Sequence, residues 1–161
     1  MAAAETHRDP NQLIRYYGKW AAGAGVIPMP LVDLAAVTGV QIKMLRRLAK
    51  TYSVDYDESS GKALIGALIG ALLPAKLGYG GVGSLLKAVP GVGTLLGIAV
   101  MPTFNYASTV AIGRVFQKHF VSGGTLLDFD ADAVKSTVVN EYRAVADEAK
   151  GAVGARKTAT S

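Results

Sequence analysis

From Ser59 to Leu127 the chain contains no aspartate and no glutamate. Its charges there are five cations, Lys62, Lys76, Lys87, Arg114 and Lys118, set between blocks of Leu, Ile, Val, Ala and Gly. From Ala88 to Gly113 there is no charge at all. This stretch carries the whole formal excess of +5. Such a segment must cover its apolar surface with the rest of the chain, with other copies, or with lipid, because exposed contiguous apolar surface is costly in water. Only 18% of residues are charged, against roughly 25% in average soluble proteins, and glycine is enriched at 19 residues.

Length and composition narrow the alternatives. A chain of 161 residues fits one domain. There is no cysteine, which excludes disulfides and thiol chemistry. The start, Met1 to Arg8, lacks a charged segment followed by an apolar run, so it reads as a short disordered lead and not as a secretory signal. The cations are scattered among apolar blocks rather than clustered with aromatics. Nucleic acid is therefore a poor partner, and anionic lipid headgroups are a better one.

The hydrophobic periodicity predicts an all-α fold, a helical bundle with a Gly/Pro-interrupted apolar hairpin in the middle. Asp9-Pro10 opens a first helix, expected from about Pro10 to Gly23, with Arg15 and Lys19 away from its apolar face. Pro28 and Pro30 interrupt the chain, and Pro30 opens a second helix to about Tyr52. Leu31, Leu34, Ala35, Thr38, Ile42, Leu45, Leu48, Ala49 and Tyr52 form its apolar stripe. Lys43, Arg46, Arg47 and Lys50 make its later face basic. Asp57 or Ser59 caps a third helix, about Ser60 to Leu77, which Pro74 would kink. A glycine-rich turn over 78–83 leads to an apolar helix from about Thr94 to Phe120, with a kink or break expected at Pro102 and a close at Gly123-Gly124. A last amphipathic helix is expected to start at Asp128 to Asp130, with a disordered tail from Gly154.

Two segments carry a family resemblance. Pro28-x-Pro30-x-x-Asp33 is followed by Met44-Leu45-x-x-Leu48-Ala49-x-x-Tyr52-x-Val54. Later come Pro90-Gly91-x-Gly93 and Thr109-x-Ala111-x-Gly113-Arg114, then His119-Phe120-x-x-Gly123-Gly124. In this order, over about Ile27 to Asp130, they resemble the YcjF-like family, a domain of unknown function. That domain often follows an Era-like or dynamin-like GTPase domain, and its members are commonly membrane-associated. The resemblance implies a helical, membrane-linked module, on the cytoplasmic side of a bacterial inner membrane, and no known activity. It gives Pro28, Pro30, Pro90, Gly91, Gly93, Gly113, His119 and Phe120 structural roles. Ser53 departs from it, standing where Tyr-Gly-Val is expected. A second departure is the missing GTPase domain, so this sequence reads as the accessory part alone.

No motif here supports catalysis. Gly61-Lys62 is followed by Ala63, and Tyr56 stands where a phosphate loop needs its first glycine. Gly78-x-Gly80-x-x-Gly83 matches a dinucleotide pattern by letter, but it follows a helix and lacks a βαβ setting. His7 and His119 have no acidic cluster near them, so no metal site is expected. No cofactor is expected, and no enzyme.

Other residues point to binding or packing. Asp33 and Arg114 are isolated charges in apolar segments. They are expected either to pair across helices, since an unpaired buried charge is costly, or to be solvated separately. Gly66 and Gly70, four apart, allow close helix packing within a monomer, between copies, or in a bilayer. Lys43, Arg46, Arg47 and Lys50, with Lys62 and Lys76, form either a solvated face or a contact with anionic lipid or an acidic partner. The leading expectation is a non-enzymatic membrane-associated module that associates with itself or with a separate GTPase. The alternative is a soluble homo-oligomeric scaffold packed through glycine-rich helices.

Overall fold

The computed structural model describes the backbone over residues 9–24, 30–78 and 92–159, and side chains over 9–24, 35–73 and 102–152. Among the described residues the protein is all-helical. Its helices are α1 (Pro10–Ala24), α2 (Pro30–Thr51), α3 (Glu58–Gly78), α4 (Val92–Val121) and α5 (Lys135–Ala159).

Most helix ends follow from local chemistry. The Asp9 carboxylate accepts from the Asn11 amide at 3.0 Å, and Pro10 occupies the first helical position, where a missing N–H costs nothing. Asp57 caps α3, accepting from the Ser60 amide at 2.7 Å and the Ser59 hydroxyl at 2.5 Å. These bonds hold its carboxyl at about 2, below the ordinary range.

α2 and α4 close with one and the same device. Val54 N–H donates to the Ala49 carbonyl at 2.8 Å and Ser53 N–H to the Lys50 carbonyl at 3.3 Å. Gly124 N–H donates to the His119 carbonyl and Gly123 N–H to the Phe120 carbonyl, each at 3.0 Å. Both are Schellman turns, which need a left-handed residue just past the helix. Gly123 supplies it at φ 86°, and Ser53 supplies it at φ 55°. The Tyr-Ser-Val departure therefore keeps the turn and accepts the cost of a side chain in the left-handed region.

Three expectations are corrected. The break that Pro102 allowed does not occur, since α4 runs from Val92 to Val121 with Pro102 inside it. The last helix begins at Lys135, because Asp130 caps a turn at Asp132 and Ala133 first. The buried line of α2 passes through Val37, Gln41, Met44, Leu45, Leu48 and Ala49, while Ala35 is exposed and Ile42 only partly covered. Gln41 lies inside because α1 and α4 both pack on this side, and Thr109 Oγ1 accepts from its amide at 3.1 Å. At the far end, α5 continues through 154–159, the start of the expected tail.

α2 and α4 run parallel in one register. Gln41 meets Thr109, Met44 lies beside Gly113, and Tyr52 faces Phe120 at 6.2 Å between ring centroids. α1 crosses α4 antiparallel, with Ile14 at Gly113 and Gly18 at Val110. Among the described residues, much of the acid-free stretch lies in the core. Ile65, Leu68 and Leu72 of α3 and Val110, Ile112 and Phe116 of α4 are almost wholly buried. Phe116 stacks on Phe129 at 4.3 Å, and Phe104 meets Tyr142 edge-on at 5.6 Å. Burying each such side chain contributes roughly 1.5–3 kcal/mol. Among the described residues no helix is long and apolar enough to cross a membrane.

Candidate functional site

Lys43, Arg46, Arg47 and Lys50 are spaced i, i+3, i+4 and i+7 on α2, so they share one helix face about 10 Å long. Three of them are exposed and Arg47 is half-buried. The fold sets that face against α1, where Tyr16 and Trp20 are one turn apart, with ring centroids at 6.2 Å. Trp20 is 57% exposed, an unusual state for so large an apolar ring. The left-handed turn at Ser53 then brings Asp55 and Tyr56 round as a third wall. Together these elements enclose a groove of about 850 Å³.

One end of the groove is fixed in place. The Arg46 guanidinium lies over the Tyr56 ring, 5.2 Å from its centroid, and donates to Glu58 at 3.0 Å. Lys62 pairs with the same carboxylate at 2.8 Å. Glu58 titrates below its ordinary value because it accepts from Lys62 and lies near both cations. Burial pushes the Tyr56 phenol up, against the opposing effect of Arg46. Its hydroxyl packs against Gly61, where a Cβ would come within 2.6 Å of it. Gly61 thus makes room for Tyr56. Lys43 and Lys50 have no ion pair among the described residues, and Asp55 is the carboxylate that lines the groove.

A second groove, of about 600 Å³, opens on the other side of Trp20. It shares Tyr16, Trp20 and Val40 with the first, and adds Lys19, Gly23 and Ala24. The pair of grooves offers cations, aromatic rings and apolar surface. That is the chemistry of holding an anionic or amphipathic partner.

The remaining expected residues are placed as follows. Arg114 donates to Glu141 of α5 at 3.3 Å, and Lys118 pairs with the same carboxylate. Burial raises the pKa of Glu141, but the two cations outweigh it and hold it below its ordinary value. The side chain of Asp33, the other half of the expected pair, lies outside the described residues, as do the side chains of Lys76 and Pro30, the surroundings of Gly93, and all of Pro28, Pro90 and Gly91. Gly66 and Gly70 face outward, and a Cβ on either would meet nothing within 4 Å. Gly113 does the reverse: a Cβ there would sit 2.8 Å from Ile14 and 3.0 Å from Met44 Sδ.

His119 closes α4. Its Nε2 is 2.8 Å from the Thr125 carbonyl and 3.3 Å from Asp128 Oδ1, and its ring meets Phe129 edge-on at 5.0 Å. A side chain on Gly124 would fall into that ring. Phe120 packs in the core beside Phe116. The Asp128 carboxylate accepts from the Thr125 hydroxyl and amide, which with His119 hold it at about 2.

The family match runs over residues 3–121, from the N-terminal lead to the last residue of α4, and is to the family described as domain of unknown function (DUF697). The chain belongs to the DUF697 family. Its DUF697 region contains the groove, the α2 cations and the α1–α4 packing, whereas the Gly123-Gly124 turn and α5 lie beyond it. The chain is similar to magnetosome membrane protein 22 of Magnetospirillum gryphiswaldense, at 35% identity over 132 residues, covering 82% of this chain and 68% of that protein. No solved structure matches it. Among the described residues no group of three or more metal-binding side chains comes together.

The structure places Lys43, Arg46, Arg47 and Lys50 along one groove, and beside them Trp20 and Tyr16, which the sequence did not single out, as it did not single out Glu141. The aromatic pair was legible only as a one-turn spacing on another helix. Glu141 lies 27 residues from Arg114, and nothing local links them.

Proposed function

We propose that this chain is a non-enzymatic, membrane-associated helical module, YcjF-like within DUF697, that works by docking on anionic membrane at the cytoplasmic side. The observation that carries this reading is the acid-poor cationic face of α2 set beside the exposed Trp20 of α1. The membrane-protein relative supports it. Each cation near an anionic bilayer contributes about 1 kcal/mol. Four of them give about 4 kcal/mol, equivalent to a millimolar affinity. Cations alone therefore give only fleeting contact. Partial insertion of Trp20 and Tyr16, whose rings suit the headgroup region, adds apolar free energy.

Self-association supplies the rest by avidity. α3 presents Ala63, Gly66, Ala67, Gly70 and Leu73 outward, a small-residue face that a second copy can approach closely. A separate GTPase is the other partner this reading allows. The experiment is flotation of the purified chain with vesicles, with and without anionic lipid, beside sedimentation in detergent-free buffer. Flotation with anionic vesicles and a mass above the monomer are expected. A monomer that ignores both kinds of vesicle sinks the reading.

A further inference from the structure

We propose that the two grooves flanking Trp20 form one stoichiometric site for a single acidic glycerophospholipid, with the headgroup phosphate at Lys43 and Lys50 and an acyl chain along Val40 and Ala24. This rests on the membrane reading above and deepens it from adsorption to a defined lipid site. Adsorption by charge needs only cations on a convex surface. Here the α2 cations instead face an aromatic wall across a concavity of about 850 Å³. The two grooves also differ in kind where they meet. The first carries four cations; the second carries Lys19 alone and is otherwise apolar or aromatic. An abrupt change from cationic to apolar across the shared Tyr16, Trp20 and Val40 matches the two halves of an amphiphile.

Neighbouring residues assign the parts. Arg46 is held by Glu58 and Tyr56 and Arg47 is half-buried, which leaves the exposed Lys43 and Lys50, one turn to either side of Arg46, to meet the phosphate. A free phosphate would use the first groove only, and an acidic peptide has no need of the second. Gly23 lines the second groove, and among the described residues a Cβ there would meet nothing within 4 Å, so an added side chain has open space to enter. Asp55 lines the headgroup end and repels a phosphate, so it lowers affinity in a way that a substitution can expose.

Trp20 is the only tryptophan in the chain, and its fluorescence reports the site directly. Short-chain phosphatidic acid, kept below its micelle concentration, is titrated into the full chain. Glycerol 3-phosphate and short-chain phosphatidylcholine serve as comparisons. A saturable one-to-one blue shift is expected with phosphatidic acid alone. The double variant Lys43→Ala/Lys50→Ala, both exposed, weakens it at least about tenfold with an unchanged melting temperature. Gly23→Asp does the same from the acyl end, and Asp55→Asn strengthens binding several-fold. If glycerol 3-phosphate binds as tightly, the second groove takes no part and the proposal falls. If vesicles float the protein but no saturable shift occurs, the lipid site is wrong and the membrane reading survives. If neither occurs, both fall.

Discussion

Gly18 and Gly113 do opposite work from Gly66 and Gly70, although all four sit inside helices. At Gly18 a Cβ would lie 2.8 Å from Val110, and at Gly113 2.8 Å from Ile14, so these two let α1 lie close on α4. At Gly66 and Gly70 a Cβ would meet nothing within 4 Å among the described residues. The difference teaches that a pair of glycines four apart states what a helix allows, and that the neighbours decide whether anything uses it. Glycine costs roughly 1 kcal/mol against alanine in a helix interior. At Gly113 tight packing offsets that cost. At Gly66 and Gly70 nothing among the described residues does.

The same substitution should therefore change sign between the two pairs. Gly113→Ala and Gly18→Ala are expected to destabilise by about 1–3 kcal/mol, the usual cost of overpacking. Urea unfolding measures it, and an unchanged midpoint would mean that α1 is free to move off α4. Gly66→Ala and Gly70→Ala should each stabilise the monomer by about 1 kcal/mol. If either destabilises it, the α3 face is packed against something in the monomer. If the pair also abolishes self-association in sedimentation, the comparison sharpens into an interface.

A smaller contrast lies in the two Schellman turns. A left-handed L-residue costs about 1–2 kcal/mol, of which glycine returns part through its larger unfolded-state entropy. Ser53→Gly should then stabilise by about 0.5–1 kcal/mol, and Gly123→Ala should cost about as much. Calorimetry of both variants tests the pair, and equal signs would refute the shared geometry.

The smallest expected effect is on acid sensitivity at the α4 turn. Asp128 titrates at about 2 when folded, below its ordinary 3.8. A depressed carboxylate contributes stability above its unfolded value and loses it as pH falls toward the folded one. Melting temperature should therefore drop between about pH 4 and pH 2, and less steeply in Asp128→Asn. An identical slope in that variant would remove Asp128 from the account.

Much of the fold was legible because its signals are local. Asp9-Pro10 and Asp57 read as caps, since a cap is defined within three residues. The basic face of α2 read as one surface because its spacing is that of a single helix turn repeated. Other features were not legible, and the reasons are physical. Pro102 looked like a kink or a break, and α4 runs through it without a break. Gln41 is absent from the apolar stripe expected for α2, yet α1 and α4 pack over that side and Thr109 Oγ1 accepts a hydrogen bond from its amide. The neighbours of Arg114 and of the α2 cations come from other helices, which no short pattern specifies.

The sequence by itself determined the helices, most of their ends, the acid-free middle and the cationic face, because these depend on contacts a few residues apart. Only the tertiary structure decided that, among the described residues, the apolar side chains of α3 and of α4 from Phe104 onward pack with one another and with α1, α2 and α5. It alone set Trp20 across from Lys43 and Lys50, and Glu141 beneath Arg114. Helix formation answers to local spacing. The meeting of two helix faces answers to which surfaces bury the most apolar area together, and that is a property of the whole chain.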